Sequence, residues 1–272
     1  MGMTTKRQPL ADGHRVAVRE AGDGSWGLVC VHGLGQSGLM WEGVITALPT
    51  GWSAYALDLP GFGDSDPSPT GYSIAAQARV VRAFIEQLPH ERVVLAGNSL
   101  GGVVALQAAL EPSPALRGLV LVATGSRARD PERGRAYREK LVSNPLDVEQ
   151  QRRMARSFFF TGLAPDRLDR VAADVGKARH EAILEAMASV LDTDVTPELP
   201  RIGLPTLVVQ GREDRGRPPE DGLDLIRGIP DARLVVLPAA GHTPMLDAPA
   251  EFQIHLNAML EAWRRSDGAS PA

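Results

Sequence analysis

The sequence predicts an α/β fold in which mostly parallel strands alternate with helices, and three observations carry that prediction. Short apolar runs rich in Val, Leu and Ala recur at residues 26–32, 52–58, 92–98, 118–123, 204–210 and 232–237. Runs of this length, bounded by Gly, Pro or polar residues, read as strands buried on both faces. Helical patterns lie between them, at 39–48, 73–88, 102–110, 219–229 and 249–264. A strand–helix rhythm of this kind builds a parallel sheet covered by helices. The third observation is Gly97-Asn98-Ser99-Leu100-Gly101, which sits where one apolar run gives way to one helical pattern.

Taken in order, residues 14–20 alternate apolar and polar side chains and read as an early edge strand. The runs at 26–32 and 52–58 follow as buried strands, with a helix at 39–48 between them. Ser73 stands where an N-cap would open the helix at 73–88, although Gln77 is one place too far on for a capping box. The strands at 92–98 and 118–123 flank the helix at 102–110. Residues 127–200 then depart from the rhythm. They hold no convincing strand and four helical patterns, at 132–142, 148–160, 165–175 and 181–191. The strands resume at 204–210 and 232–237, and residues 266–272 read as a frayed tail. The expected division is therefore a core domain of residues 1–126 and 201–272, with 127–200 as a helical cap, or lid, inserted into it.

Composition narrows the class. The chain has 272 residues, 43% hydrophobic and 23% charged, which suits a globular protein with a sizeable core. A net charge of −4 gives no reason to expect a nucleic-acid partner. The single cysteine, Cys30, lies mid-strand, allows no internal disulfide and reads as a small buried side chain. No apolar stretch reaches membrane-spanning length. Residues 1–10 carry Lys6 and Arg7 without an apolar core, so they do not read as a secretory signal. Cytoplasmic localisation is the default expectation, and oligomeric state is left open.

The chemistry begins at Ser99. A serine on a sharp strand-to-helix turn has a strained backbone that lifts its hydroxyl above the sheet, and only small residues fit two positions to either side. The following helix N-terminus favours negative charge there. A hydroxyl needs a base to become nucleophilic, and the base needs an orienting acid. His242 follows the run at 232–237 and Asp214 follows the run at 204–210, so both fall at the carboxyl edge of the sheet, where α/β proteins place their sites. Glu213, adjacent to Asp214, is the alternative acid. His32-Gly33-Leu34-Gly35 closes another strand, and the backbone N–H groups of Leu34 and Leu100 are the natural pair of donors for an oxyanion.

With these pieces in sequence, the chain resembles the α/β-hydrolase superfamily in its lidded form. The resemblance is carried by residues 32–35, Asp58 to Ser65, residues 97–102, Gly211-Arg212-Glu213-Asp214 and Gly241-His242. It implies a mostly parallel eight-stranded sheet, with Ser99 as nucleophile, His242 as base and Asp214 as acid. Asn98 before the serine resembles carbon–carbon bond hydrolases of ring-cleavage pathways, a form that esterases of the superfamily share. Those carbon–carbon hydrolases typically carry Trp after the histidine, where this chain has Thr243. The expected activity is hydrolysis of a carboxylic ester or lactone, a small-molecule substrate, through an acyl-enzyme. Cleavage of a ring-cleavage product is the alternative, and a non-catalytic ligand receptor on the same fold is the alternative from another class.

Four aromatics of the insertion, Tyr137, Phe158, Phe159 and Phe160, are candidates for substrate contact. The competing reading has the phenylalanines anchoring the insertion to the core. The cavity above Ser99 is expected to be lined mainly by apolar side chains, with at most one arginine. Arg127, Arg129, Arg152 and Arg153 read as solvated helix faces. His32 reads as a hydrogen-bonding residue of the glycine loop, and the resemblance implies that Asp58, Asp64 and Ser65 are structural or cavity-lining. Asp221 and Asp224 fall inside a helix; His14, His90, His180 and His255 show no local partner pattern. No cofactor or metal is expected: no cluster has metal-ligand spacing, and Gly33 and Gly35 lack the rest of a dinucleotide loop.

Overall fold

The computed structural model describes residues 3–144, 146–160 and 162–268. Of the tail expected to fray, residues 269–272 lie outside the described residues, and residues 266–268 continue the last helix.

Eight strands form one sheet: β1 (Thr4–Pro9), β2 (Arg15–Gly22), β3 (Trp26–Val31), β4 (Trp52–Leu57), β5 (Val93–Asn98), β6 (Leu116–Val122), β7 (Thr206–Gly211) and β8 (Ala232–Leu237). Their spatial order is β1-β2-β4-β3-β5-β6-β7-β8. β2 runs antiparallel to both β1 and β4, and every pairing from β4 to β8 is parallel. β1 was not expected. Its sequence, TTKRQP, is polar and almost wholly exposed, and it is held at the sheet edge by pairing with β2.

The interior parallel strands are mostly apolar because both faces are covered. Val29 and Val31 of β3 pack into one core, and Leu28 and Cys30 between them pack into the other. The first core is closed by α2 (Ile74–Glu86), α3 (Leu100–Ala109) and α8 (Pro219–Gly228), through side chains such as Phe84, Leu106 and Leu225. The second is closed by α1 (Glu42–Ile45) and α10 (Pro249–Gly268), through Ile45, Phe252, Leu256 and Trp263. Each such fully buried side chain contributes roughly 1.5–3 kcal/mol relative to exposure. Ser73 caps α2, its hydroxyl accepting from Ala76 N–H at 3.2 Å. The helix expected at 39–48 is shorter than its pattern. A 3₁₀ turn at Gly38–Trp41 leads into α1, which stops at Ile45, with Thr46 turning its hydroxyl back onto the Glu42 carbonyl.

Between β6 and β7 the chain leaves the sheet and forms α4 (Pro131–Ser143), α5 (Val148–Ser157), α6 (Pro165–Val175) and α7 (His180–Asp192). α4 packs on α7, and α5 on α6. α7 is tied to the start of α2: Glu185 accepts from Tyr72 N–H at 2.8 Å and the Ser189 hydroxyl accepts from Ile74 N–H at 2.9 Å. A short α9 (Pro244–Asp247) precedes α10. Among the described residues, no helix is long and apolar enough to cross a membrane.

Candidate active site

Leu34, Ser99, Asp214 and His242 all follow the carboxyl ends of strands, β3, β5, β7 and β8 respectively. Ser99 is the turn between β5 and α3, with φ 54° and ψ −115°. A non-glycine residue there costs on the order of 1–3 kcal/mol, which the surroundings must offset. They do so through the backbone. Ser99 N–H donates to the Val122 carbonyl at 2.9 Å, and the Ser99 carbonyl accepts from Gly102 N–H, Val103 N–H and the Thr124 hydroxyl. The glycine spacing has a direct steric cause. A Cβ on Gly97 would collide with the Gly101 carbonyl, and one on Gly101 with the carbonyls of Val31 and His32. The expectation that only small residues fit two positions either side of Ser99 is thus met by backbone-on-backbone packing.

His242 Nδ1 lies 2.7 Å from Asp214 Oδ2. A carboxylate only accepts, so Nδ1 carries the proton, and in the neutral ring Nε2 is the acceptor. The Asp214 side chain is buried, and its other oxygen accepts from Gly216 N–H at 2.8 Å and Arg217 N–H at 2.9 Å. Glu213 is exposed, and its backbone N–H donates to the Ala240 carbonyl. Asp214, rather than Glu213, therefore meets the imidazole. Asn98 adds a link not anticipated from the sequence. Buried beneath Ser99, it donates from Nδ2 to the Val122 carbonyl at 3.2 Å and to the His242 carbonyl at 3.1 Å, fastening the histidine loop to β5.

His32 sits at the root of the glycine loop and is fully buried. Its Nε2 accepts from Leu59 N–H at 2.9 Å, which fixes the proton on Nδ1, donating to the Gly33 carbonyl at 2.8 Å. Burial, the dominant cause, lowers its pKa to about 4, so the ring stays neutral at physiological pH. The loop closes on itself through Gln36, whose side-chain oxygen accepts from Gly33 N–H while its own N–H donates to the Gly33 carbonyl. Among the described residues, no protein group accepts from Leu34 N–H or Leu100 N–H.

A cavity of about 920 Å³ opens over these residues and is lined by Leu34, Ser99, Asp214 and His242. Tyr137, Phe158, Phe159 and Phe160 all contribute to its walls. α5 ends at Ser157, so the three phenylalanines leave the helix singly, Phe158 buried and Phe160 exposed. They also anchor the insertion. The Thr243 hydroxyl donates to the Phe158 carbonyl at 2.7 Å, and Asp247 accepts from Phe160 N–H at 3.1 Å.

One expectation is corrected here. Four arginines, Arg129, Arg133, Arg215 and Arg217, line the cavity instead of at most one. Arg129 is exposed as expected, but it precedes α4 and bonds Asp221 on α8, and Arg217 lies 3.5 Å from the same carboxylate. Burial raises the Asp221 pKa against the pull of both. Among the described residues, the guanidinium groups of Arg133 and Arg215 meet no carboxylate. Cys30 is buried in the sheet, where burial pushes its thiol pKa up and leaves it unreactive. No group of three His, Cys, Asp or Glu residues able to hold a metal occurs among the described residues.

Sheet order, crossing pattern and site placement define an α/β-hydrolase architecture. The alpha/beta hydrolase fold family matches residues 28–249, and the chain belongs to it. A 2-hydroxy-6-oxononadienedioate/2-hydroxy-6-oxononatrienedioate hydrolase of Cupriavidus pinatubonensis is 30% identical over 244 residues, 84% of each chain. A pimeloyl-[acyl-carrier protein] methyl ester esterase of Aeromonas hydrophila is 32% identical over 250 residues, 87% of this chain and 96% of the relative. A hydrolase from Pseudomonas aeruginosa superposes with a TM-score of 0.85 at 25% identity, covering 94% of this chain and 98% of that one. The protein is a hydrolase of this family, with similarity to both esterases and carbon–carbon bond hydrolases.

Proposed function

We propose that the protein is a serine hydrolase that cleaves a carboxylic ester or lactone through Ser99, His242 and Asp214. The observation that carries the reading is the 2.7 Å contact between His242 and a buried Asp214 carboxylate, beside a serine held at positive φ in the same cavity. In the proposed cycle, His242 Nε2 takes the Ser99 proton as the hydroxyl oxygen adds to the substrate carbonyl. Asp214 stabilises the imidazolium that forms. Leu34 and Leu100 N–H groups hold the oxyanion, a contribution on the order of 3 kcal/mol for each donor. Collapse expels the alcohol, which receives the proton from His242. Water, deprotonated by the same imidazole, then releases the acid and restores Ser99.

Residues 127–200 act in this proposal as a lid that selects the substrate. Their supply of much of the cavity wall, including Tyr137 and the three phenylalanines, supports this. The aromatics favour an apolar acyl or alkyl group. The arginines favour a second reading, carbon–carbon hydrolysis of an acid, as does the relative named for a dienedioate substrate. A panel of p-nitrophenyl esters of graded acyl length, several lactones and a ring-cleavage dienoate separates the two. Ester or lactone turnover is expected to dominate, and enlarging a lid side chain is expected to shorten the preferred acyl group. Fast cleavage of the dienoate with negligible ester turnover would give the second reading its place. Binding without turnover of any member would make the protein a receptor.

A further inference from the structure

The insertion reaches into the glycine loop through one buried acid. Asp174 lies in the last turn of α6, where a carboxylate faces the negative end of the helix dipole and is disfavoured. It is nevertheless 4% exposed. Its Oδ2 accepts from the Ser37 hydroxyl at 2.6 Å, a bond spanning 137 positions in sequence. Ser37 directly follows the Gly33–Gln36 turn that carries Leu34 N–H, and its own oxygen accepts from Leu39 N–H at 3.1 Å. The next residue, Gly38, donates its N–H to the buried Asp58 at 2.7 Å, and Arg19 donates to the same oxygen at 2.7 Å. The loop is thus gripped at its far end from two sides, by Asp58 from the core and by Asp174 from the insertion.

Other contacts hold α6 against this corner. Arg170 reaches Glu42 at 2.8 Å, and Lys177, just beyond the helix, reaches Asp64 at 2.9 Å. On α5, Met154 packs over Gly35, where an added Cβ would lie 3.1 Å from its sulfur. We propose that Asp174 is a positioning residue for the proposed reaction: through Ser37 it fixes the loop that presents Leu34 N–H to the oxyanion, and so couples docking of the helical insertion to catalysis. The inference rests on the serine-hydrolase reading.

The groups facing Asp174 make this coupling sensitive to pH. Burial, the largest cause, pushes its carboxyl up to about 6; the Ser37 hydroxyl opposes that shift, Asp58 adds to it, and Arg19 and Lys177 oppose it. Above that value the carboxylate accepts a charge-assisted bond from Ser37. Below it, the neutral acid keeps only an ordinary one.

The test compares wild type with Asp174→Asn, Ser37→Ala and the double variant on p-nitrophenyl acetate from pH 5 to pH 8, with Ser99→Ala as control. The asparagine stands in for the protonated acid and preserves its shape. The ratio of wild-type to Asp174→Asn kcat is expected to rise from near one at low pH to about tenfold above neutrality, with KM unchanged, as for loss of one charge-assisted bond. Taking the ratio cancels pH effects common to both enzymes. Ser37→Ala should show the same plateau loss, and adding Asp174→Asn to it should cost nothing more. A ratio flat in pH, a loss confined to KM, or losses that multiply in the double variant would overturn the inference. Turnover that survives Ser99→Ala would instead remove the serine-hydrolase reading beneath it.

Discussion

Ser99→Ala is expected to abolish esterase turnover, a loss on the order of 10⁶ in kcat, while leaving the fold intact. Among the described residues the Ser99 hydroxyl makes no hydrogen bond, whereas its backbone N–H and carbonyl make four. Alanine keeps all four. It also occupies the φ 54° conformation with a Cβ as serine does, so the strain is unchanged. The substitution therefore removes the oxygen and little else. A fluorophosphonate probe should label the wild type and leave Ser99→Ala unlabelled, with thermal midpoints that agree. Labelling or turnover that persists in the variant would place the nucleophile elsewhere.

Asp214→Asn should lower kcat/KM by about four orders of magnitude, as loss of a triad acid does elsewhere. The reason lies in the other side of the carboxylate. Oδ1 accepts from the N–H groups of Gly216 and Arg217, and an asparagine would keep its carbonyl oxygen there. Its NH₂ group would then face His242 Nδ1, which must accept. The ring proton moves to Nε2, the atom that has to receive the Ser99 proton, and the base is lost. Glu213→Gln, on an exposed side chain, should change kcat/KM by less than about twofold, within the range of neutral surface substitutions. The reverse ranking would reassign the acid.

Acid conditions bear on stability through His32. Its pKa is depressed from 6.5 to about 4 in the folded chain, so the unfolded chain takes up the proton first as pH falls. The stabilisation that its neutral ring provides is complete above pH 6.5 and is lost progressively towards pH 4, in total roughly 3 kcal/mol. Urea midpoints measured at pH 7 and pH 5 should fall with acidity in the wild type, and less steeply in His32→Gln.

The parts of the molecule governed by local rules were open to reading from the sequence. The bounds of β8 and α6 follow from their patterns, and the Gly97/Gly101 spacing follows from the close approach of backbones around Ser99. β1 escaped because an edge strand needs no apolar period. The four arginines escaped because the fold, not the local sequence, brings them to the cavity wall. Arg129 has acids beside it in sequence yet pairs with Asp221, ninety-two positions on. The Asp174–Ser37 and Asn98–His242 bonds join residues separated by 137 and 144 positions. No periodicity or propensity encodes such contacts; the assembled sheet creates them.

β6 and β7 are neighbours in the sheet, with Val122 beside Val209, yet the chain leaves between them for the whole four-helix excursion. Closing a long connection costs only logarithmically more than closing a short one, about 0.6 kcal/mol for each doubling of its length. The sheet and the insertion that walls much of the cavity are consequently written in separable stretches of gene, and evolution can lengthen or shorten the second without unseating the first, provided that the Asp174–Ser37 contact is kept. The order also matters during synthesis. The ribosome delivers Ser99 first, then the helices, and only afterwards Asp214 and His242. Under the proposed mechanism, a nascent chain thus carries its nucleophile without the base until the last two strands add themselves to the sheet.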